Sequence, residues 1–258
     1  MTRCTAEERA LARAAVYRLL ALAFAYPTST AVEALRAAIP VARTGAHLIS
    51  AETERTVDAA ATAFESASRE QLERLYQKTF TLTYSQDCPA YETAFSARHL
   101  FQQSAHQADI AGFYRAFGVE SHAERPDHLA TELEFAYLLA LKEAHARERA
   151  EQEHVRVTRD ATRAFLRDHL ARWAPLIAGR IANWAPGTPY AAAARALGTF
   201  IQDEERFLRL GRIERYRDEP AIEEVPEEFT CPFADGAPPT AVPLFEETEE
   251  GEYVAANA

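Results

Sequence analysis

An acid and an imidazole stand side by side at Asp127 and His128, directly after Pro126 and ahead of an apolar run with helical spacing. A carboxylate beside an imidazole can transfer protons, bind a metal or hold a peptide by hydrogen bonds. Helix capping is the structural alternative, because Asp127 in a first helical turn would meet unpaired N–H groups and the positive end of the helix dipole. That dipole end disfavours an imidazolium, so capping explains His128 less well. The residues alone leave both interpretations open.

Metal chemistry would need more ligands than the sequence groups together. A di-iron bundle requires two Glu-x-x-His pairs, and residues 151–154 supply one, within a highly charged run that predicts a solvated helix face. His128 and Glu132 share a helix face but have no second histidine nearby. Cys88 and Cys231, each followed by proline, are predicted to be ordinary thiols. Phosphate-loop, dinucleotide and nucleophile-elbow motifs are missing from the sequence too, so we expect no metal, no cofactor and no catalytic residue.

Helices must position these groups. Only 9 of the 258 residues are glycine, helix-forming residues dominate, and strand-like alternation competes nowhere. We predict an all-α fold, a single compact bundle of about nine to ten helices with an extended acidic C-terminal tail. Caps and prolines set the predicted helices: from the capping box of Thr5 and Glu8 to before Pro27, from Ser29 or Thr30 to Pro40, from Ser50 to about Ala67, from the capping box of Ser68 and Gln71 onward, from Thr93 to Gly118, from Pro126 as first helical residue to about Arg149, and over 155–170, 174–185 (with Pro175 at its start) and 189–209.

The acidity of the chain is concentrated in its last part. The net charge is −11, yet residues 218–258 contain twelve acids and no lysine or arginine, which leaves residues 1–217 nearly neutral. We therefore predict a helical domain over 1–217 and an acidic, proline-rich tail over 218–258. A neutral body without a basic stripe argues against nucleic acid as a partner.

Cysteine usage and hydropathy bear on the compartment. Three cysteines without CxxC spacing argue against a disulfide scaffold and favour a reducing compartment. The sequence has no apolar stretch long enough to span a membrane, and the acids ahead of the first apolar run are typical of a helix rather than a signal peptide. We expect a cytoplasmic protein.

Several motifs follow one another between residues 70 and 140. They are E-R-P-D-H at 124–128, of the form E-x-P-D-H, followed by Leu129, Glu132, Leu133, Glu134 and Phe135; CPAYET at 88–93; ADIAGFYRAFG at 108–118; and a partial aromatic-x-x-Leu-Phe element at 76–80, with Thr79 where leucine is usual. In this order, and on helix–loop boundaries, the set resembles the TorD/DmsD/NarJ family of redox-enzyme (molybdoenzyme) maturation chaperones.

The resemblance implies a dedicated cytoplasmic chaperone and no enzymatic activity. Such a chaperone binds the catalytic subunit of a molybdopterin oxidoreductase, often at its twin-arginine leader. It holds that subunit until the molybdenum cofactor is inserted, and so delays export. The acidic tail is not part of the common pattern; our hypothesis is that it marks a subgroup serving the dimethyl sulfide, ethylbenzene, chlorate or selenate type of molybdoenzyme.

A twin-arginine leader combines a basic start with an apolar helix-forming stretch, so recognition calls for an apolar groove with acids at its rim. Carboxylates pair with guanidinium groups bidentately. Asp127 and His128 should then lie at a cleft and not be sealed in the interior. The predicted binding residues are Tyr91, Phe113, Tyr114 and Phe117 as groove lining, Glu92, Glu124 and Asp127 as partners for guanidinium groups, and Pro126 and His128 as the loop that shapes the site or bonds the peptide.

Structural alternatives remain for each of these residues. Core packing would explain the aromatic side chains, and solvated loop charge would explain Glu92 and Glu124. An enzyme using Asp127 and His128, or a bound metal, is the alternative function, and a helical scaffold without a peptide groove is a third. Either a monomer or a helix-exchanged dimer fits the sequence. A further hypothesis has the tail occupying the groove when no client is bound, through its aromatic residues Phe229, Phe233 and Phe245.

Overall fold

The structure, a computed structural model, describes residues 4–80, 87–96, 100–121, 124–217, 245–247 and 253–255. The chain divides into two units, Met1–Ile222 and Glu223–Ala258. The all-α prediction is confirmed for the first unit, whose described residues form these elements: α1 (Ala6–Phe24), α2 (Ser29–His47), α3 (Ala51–Ser66), α4 (Arg69–Phe80), α5 (Thr93–Ser96), α6 (Leu100–Ala116), α7 (Leu129–Glu148), α8 (Gln152–Phe165), a π-helical turn (Leu166–Leu170), α9 (Ala171–Trp184) and α10 (Pro189–Leu208).

The second unit contains a feature that the sequence did not predict. Two short strands, β1 (Phe245–Glu247) and β2 (Tyr253–Ala255), pair antiparallel with Phe245 opposite Ala255. The expectation that strands occur nowhere is therefore wrong at these six residues. Phe229 and Phe233, which the tail hypothesis invoked, lie outside the described residues.

Helix α1 lies at the centre of the first unit, against α2, α7 and α10. Val16, Tyr17 and Leu20 on this helix are completely buried, and its many alanines leave room for neighbouring backbones. The closest approach is to Gly45 of α2, where a Cβ atom would lie 2.8 Å from the Ala12 carbonyl oxygen. Small residues at the contact thus set the distance between the first two helices.

A buried ion-pair network ties α1 to α7 and α10. Arg13, which is 1% exposed, donates from Nε and Nη2 to the two oxygens of Glu204, both at 2.7 Å. Its Nη1 donates to Glu143 at 2.8 Å, and the Tyr17 hydroxyl donates to Glu204 at 2.8 Å. Burying one of these charges without the others would cost several kcal/mol, so the network fixes how the three helices are placed.

Capping residues predicted most helix starts correctly. Thr5 and Glu8 form the reciprocal capping box, and Ser68 and Gln71 exchange the same pair of hydrogen bonds. The side chains that accept from the first turns of α3 and α10 are Ser50 and Thr188. Gly118, which follows α6, has the positive φ of 75° that a left-handed helix end requires.

Prolines predicted helix boundaries less well. Helix α2 runs through Pro40 to His47 instead of stopping there, because Ala42 and Ala46 beyond the proline are buried and their packing outweighs one lost hydrogen bond. Pro175 lies inside α9 and not at a helix start. The carbonyl of Ala171, four residues earlier, has no N–H partner at this proline and accepts from Arg215 at 3.0 Å instead.

Two further boundaries differ from the prediction. Between Thr93 and Gly118 the structure describes two helices, α5 and α6, and residues 97–99 between them lie outside the described residues. Pro126 is not the first helical residue, since it belongs to a turn and α7 begins at Leu129. In the described part of the chain, no helix combines the length and apolarity needed to cross a bilayer.

Replacing Gly45 with Ala should lower the free energy of unfolding by about 1–2 kcal/mol, because the added methyl group meets the α1 backbone and overrides the higher helix propensity of alanine. Gly179 is the matched control: it is helical, exposed and has no neighbouring atom within 4 Å of its would-be Cβ. Gly179→Ala should raise the same free energy by about 0.5–1 kcal/mol. Urea denaturation measures both, and equal shifts for the two variants would contradict the close α1–α2 contact.

Candidate functional site

The loop clip, in which residues 90–92 pair with residues 127–129, joins two loops that are distant in the sequence. The backbone N–H groups of Glu92 and Leu129 donate across it, each at 2.9 Å. Tyr91 and His128 face each other as an antiparallel bridge. The two stretches that carry the clearest motifs therefore form one structural unit at the start of α7.

His128 caps α7. Its backbone is extended, and its Nδ1 accepts a hydrogen bond from the Ala130 N–H at 3.2 Å. Burial lowers the pKa of His128, which favours the neutral ring with a free lone pair. The expectation that histidine suits this position poorly is wrong, because a neutral imidazole can accept where an imidazolium cannot.

Asp127 is fully buried, and the chain itself satisfies its carboxylate. Arg125 donates from Nε at 3.0 Å and from Nη2 at 2.8 Å, one bond to each oxygen, and the Thr93 hydroxyl donates at 2.6 Å. The Arg125 guanidinium lies 4.3 Å from the centre of the Tyr91 ring. The Arg125 side chain is 32% exposed and that of Asp127 is 0% exposed. An outside guanidinium therefore cannot reach Asp127 while Arg125 stays in place.

Glu124 and Pro126 complete the loop in different ways. Glu124 is exposed, and its carboxylate accepts from the Tyr91 hydroxyl at 3.4 Å and from the Arg125 N–H at 2.9 Å. Pro126 contributes its carbonyl oxygen, which accepts from the Tyr114 hydroxyl at 2.6 Å. Of the acids predicted to meet a client, Glu124 is the one with its carboxylate at the surface.

The predicted aromatic lining packs mainly inward. The Phe113 ring lies 5.5 Å from that of Phe165, and Tyr114 and Phe117 lie 4.7 and 5.9 Å from Phe135. These edge and tilted contacts are typical of an aromatic core. Core packing therefore describes Phe113 and Phe117, whereas Tyr114 also lines a surface groove.

Glu92 is buried, with partners from distant parts of the chain. The Tyr216 hydroxyl donates to one of its oxygens at 2.8 Å, and His169 Nδ1 lies 3.2 Å from the other. His169 stands in the π-helical turn, an irregularity that often occurs at functional sites, and Asp109 lies 3.3 Å from its Nε2. Neither contact with a client nor solvated charge describes Glu92 in this structure.

Glu132, one turn into α7, shares the same interior. It is 0% exposed, and Trp173 Nε1 donates to one of its oxygens at 3.1 Å. Its other oxygen accepts no hydrogen bond. Burial, reinforced by the nearby Glu92, raises the pKa of Glu132 well above its usual value. A protonated Glu132 resolves the unpaired oxygen, because its O–H can then donate to the Glu92 carboxylate.

Two adjoining grooves open beside the loop clip. The α6–α7 groove has a volume of about 500 Å³, and the α1–α7 groove has a volume of about 260 Å³. They share Glu124, Thr131 and Glu134. The remaining lining residues are Tyr114, Val119, Glu120, Ser121, Phe135, Tyr137 and Leu138 in the first groove and Arg18, Ala21, Leu22, Ala25, Tyr26, His128 and Ala130 in the second.

These grooves have an acidic rim and a largely apolar floor. Glu120, Glu124 and Glu134 are exposed, and Arg18 pairs with Glu134 at 3.0 Å. His128 reaches the α1–α7 groove although it is only 3% exposed. The prediction of a cleft beside the signature loop thus corresponds to a feature of the structure, but Asp127 lies behind Arg125 rather than at its surface.

Catalysis by Asp127 and His128 finds no support in this geometry, since both polar groups are engaged in holding the loop. Among the described residues, His, Cys, Asp and Glu side chains form no group able to hold a metal ion. His154 pairs with Glu151 at the surface, as predicted for a solvated face. Cys88 is buried, and burial raises the pKa of its thiol to about 11, which disfavours the reactive thiolate.

Four residues of this site were not among the site residues predicted from the sequence. They are Thr93 and Arg125 beside Asp127, and His169 and Tyr216 beside Glu92. Arg125 carried a signal, because a guanidinium two residues from a carboxylate can fold back onto it. No local pattern marks His169 or Tyr216, whose partner lies 77 and 124 residues away.

Comparison with known proteins places the chain in context. A family model described as the nitrate reductase delta subunit matches residues 46–178, just over half of the chain. The selenate reductase assembly chaperone of Thauera selenatis is 38% identical over 97 residues, which make up 36% of this chain and 48% of that protein. The chlorate reductase assembly chaperone of Ideonella dechloratans is 37% identical over 97 residues, with the same shares.

The chain spans about half the length of the curated relatives it matches. A crystal structure of a candidate redox enzyme maturation protein from Archaeoglobus fulgidus aligns with a TM-score of 0.47 and 21% identity. That alignment covers 73% of this chain and 93% of the other.

Replacing Glu132 with Gln should flatten the pH dependence of stability. The raised pKa means that the folded state holds a proton which the unfolded chain releases near pH 4.5. The stability that this proton contributes is complete below that pH and is lost as the pH rises through the raised pKa. The amide of Gln stays neutral throughout and still offers a donor to Glu92. The unfolding free energy of Glu132→Gln should therefore fall less towards alkaline pH than that of the wild type.

Denaturation at a series of pH values measures this difference. The exposed Glu134 on the same helix is the matched control, and Glu134→Gln should keep the wild-type slope. Parallel curves for Glu132→Gln and wild type would show that Glu132 is ionised in the folded state.

Proposed function

The chain belongs to the nitrate reductase delta subunit family, the group of TorD/DmsD/NarJ-type maturation chaperones, and from this premise we propose that it is a chaperone for the assembly of a molybdopterin-containing oxidoreductase. It binds the catalytic subunit in the cytoplasm, holds it until the molybdenum cofactor is inserted, and delays export. Two relatives named as assembly chaperones of selenate and chlorate reductases support a client of that class.

The proposal rests on one feature of the structure, the pair of acid-rimmed grooves beside the loop clip. A leader with two arginines followed by an apolar helix presents positive charge first and a hydrophobic surface next to it along the peptide. Glu120, Glu124 and Glu134 offer carboxylates to the guanidinium groups, and Val119 and Leu138 offer apolar contact to the stretch that follows. The exposed acids also attract a basic segment over a distance of about 8 Å at physiological salt.

The remaining predicted residues support this surface from within. His128 and Pro126 hold the start of α7, Tyr91 positions Glu124 by a hydrogen bond, and Tyr114 lines the α6–α7 groove. In this proposal Phe113, Phe117 and Glu92 act through packing rather than by touching the client. We further propose that residues 1–217 form the chaperone domain, that the acidic tail over 218–258 is separate from it, and that the functional form is a monomer or a helix-exchanged dimer.

Replacing both Glu124 and Glu134 with Gln should weaken binding of a synthetic peptide that carries Arg-Arg and a following apolar stretch. Each exposed carboxylate contributes about 0.5–1 kcal/mol, so the pair should cost about tenfold in Kd at low salt. Isothermal titration calorimetry at two salt concentrations measures the loss, and the difference between variant and wild type should shrink as salt rises.

Glu153→Gln is the matched control, because Glu153 is an exposed helical acid on α8, away from both grooves. Its Kd should equal that of the wild type. Melting temperatures of both variants should be close to that of the wild type, since none of the three acids is buried. Unchanged peptide affinity in the double variant would remove the grooves from the proposal, and failure to co-purify any molybdopterin oxidoreductase subunit from the native host would remove the function.

A further inference from the structure

We propose that Asp127, Thr93 and Tyr91 form a guanidinium-binding site which Arg125 fills until an arginine of the client takes its place. The inference rests on the proposed function and concerns the regulation of the same surface. The site is self-occupied, so the free protein is closed to weak basic ligands and opens by exchange of one guanidinium for another.

The surroundings of Arg125 have every component of an arginine receptor. Both oxygens of Asp127 accept from the guanidinium, at 3.0 and 2.8 Å, and Nη2 also donates to the Thr93 hydroxyl oxygen at 2.9 Å. The Tyr91 ring covers one face at 4.3 Å. A two-pronged carboxylate contact and an aromatic stack are the contacts that distinguish a guanidinium from an ammonium.

Exposure separates the occupant from the receptor. The Asp127 side chain is 0% exposed and that of Arg125 is 32% exposed, so the guanidinium covers the carboxylate and separates it from solvent. Arg13 offers a contrast within the same molecule, since it is 1% exposed and is held by two carboxylates from two other helices. Arg13 is a permanent part of the core, whereas Arg125 belongs to a surface loop and can leave without unpacking a helix.

Burial of Asp127 dictates what can replace Arg125. A buried carboxylate without a cation is strongly destabilising, so departure of Arg125 must be coupled to arrival of another positive group. Lysine offers a point charge and cannot reproduce the paired bonds. The site therefore selects arginine over lysine. Tyr91 bonds Glu124, which lies on the rim shared by both grooves. When a client arginine occupies the site, the residues that follow it would therefore lie close to the apolar floor of the grooves.

Chain connectivity makes Arg125 a strong competitor. It lies two residues from Asp127, which corresponds to an effective concentration of millimolar or more for the tethered group. A client arginine binds only when the rest of the peptide adds contacts in the grooves. Removal of Arg125 should accordingly raise affinity for arginine-containing peptides, which is the opposite of the usual effect of removing a residue from a binding loop.

The test uses Arg125→Ala in the full chain and ethylguanidinium as the probe. The variant should melt at a lower temperature than wild type, and low millimolar ethylguanidinium should raise its melting temperature in a saturable way. Ethylammonium at the same concentration should not. Arg43→Ala is the matched control, because Arg43 also pairs with carboxylates, those of Asp58 and Glu65, but at an exposed site, and it should show no rescue.

The peptide arm compares Arg-Arg with Lys-Lys versions of the same leader-like peptide. Arg125→Ala should bind the Arg-Arg peptide about tenfold more tightly than wild type does, with no comparable gain for Lys-Lys. Where Arg125→Ala does not fold, Arg125→Lys replaces it and should show a smaller gain in the same direction.

The outcomes separate this inference from the proposed function. Absence of rescue together with equal affinity in wild type and variant overturns the self-occupied site, even if the wild type binds the peptide. Rescue by ethylguanidinium without any binding of the peptide supports the receptor and argues against the leader as its ligand.

Discussion

The loop clip is the constraint on which the rest of the site depends. Two backbone hydrogen bonds hold residues 90–92 beside residues 127–129, and that pairing places Thr93 against Asp127 and Tyr91 against His128. Because the main chain makes these bonds, they fix the backbone path independently of the side chains at the surface. The loop can thus present different side chains to a partner while its path stays the same.

The acids of this surface divide by depth into two groups with different roles. Asp127, Glu92 and Glu132 are completely buried, and each is paired inside the chain, so they shape the loop. Glu124 and Glu134 are exposed, so a partner's charge can reach their carboxylates even though Glu134 also pairs with Arg18. The division has a physical reason: water solvates a surface carboxylate until a partner's charge arrives, whereas a buried one depends on a partner within the fold.

Local signals predicted the helices well and the site only in part. Side-chain caps such as Thr5 and Thr188 act within four residues, so sequence was enough to find them. Pro40 and Pro175 were wrongly predicted to mark helix boundaries, because both lie inside helices. Packing beyond Pro40 compensates for its missing N–H group, and the bond from Arg215 to the Ala171 carbonyl does so for Pro175. The motifs located the signature loop, and the family prediction is confirmed. Which acids are buried depends on more distant partners, such as His169 and Tyr216, which lie 77 and 124 residues from Glu92.

The buried pairing of Arg13 has a consequence for how the chain acquires its structure during synthesis. Its carboxylate partner Glu204 lies 191 residues further along the chain. Helix α1 therefore leaves the ribosome long before Glu204 of α10 is made and can pair with Arg13. Contacts of such separation form late, and until Glu204 is available the buried Arg13 guanidinium has Glu143 of α7 but lacks its two-pronged partner. Helix α1 therefore completes its packing only after α10 has emerged, and a protein that is proposed to shelter incompletely folded polypeptides is itself incompletely folded until then.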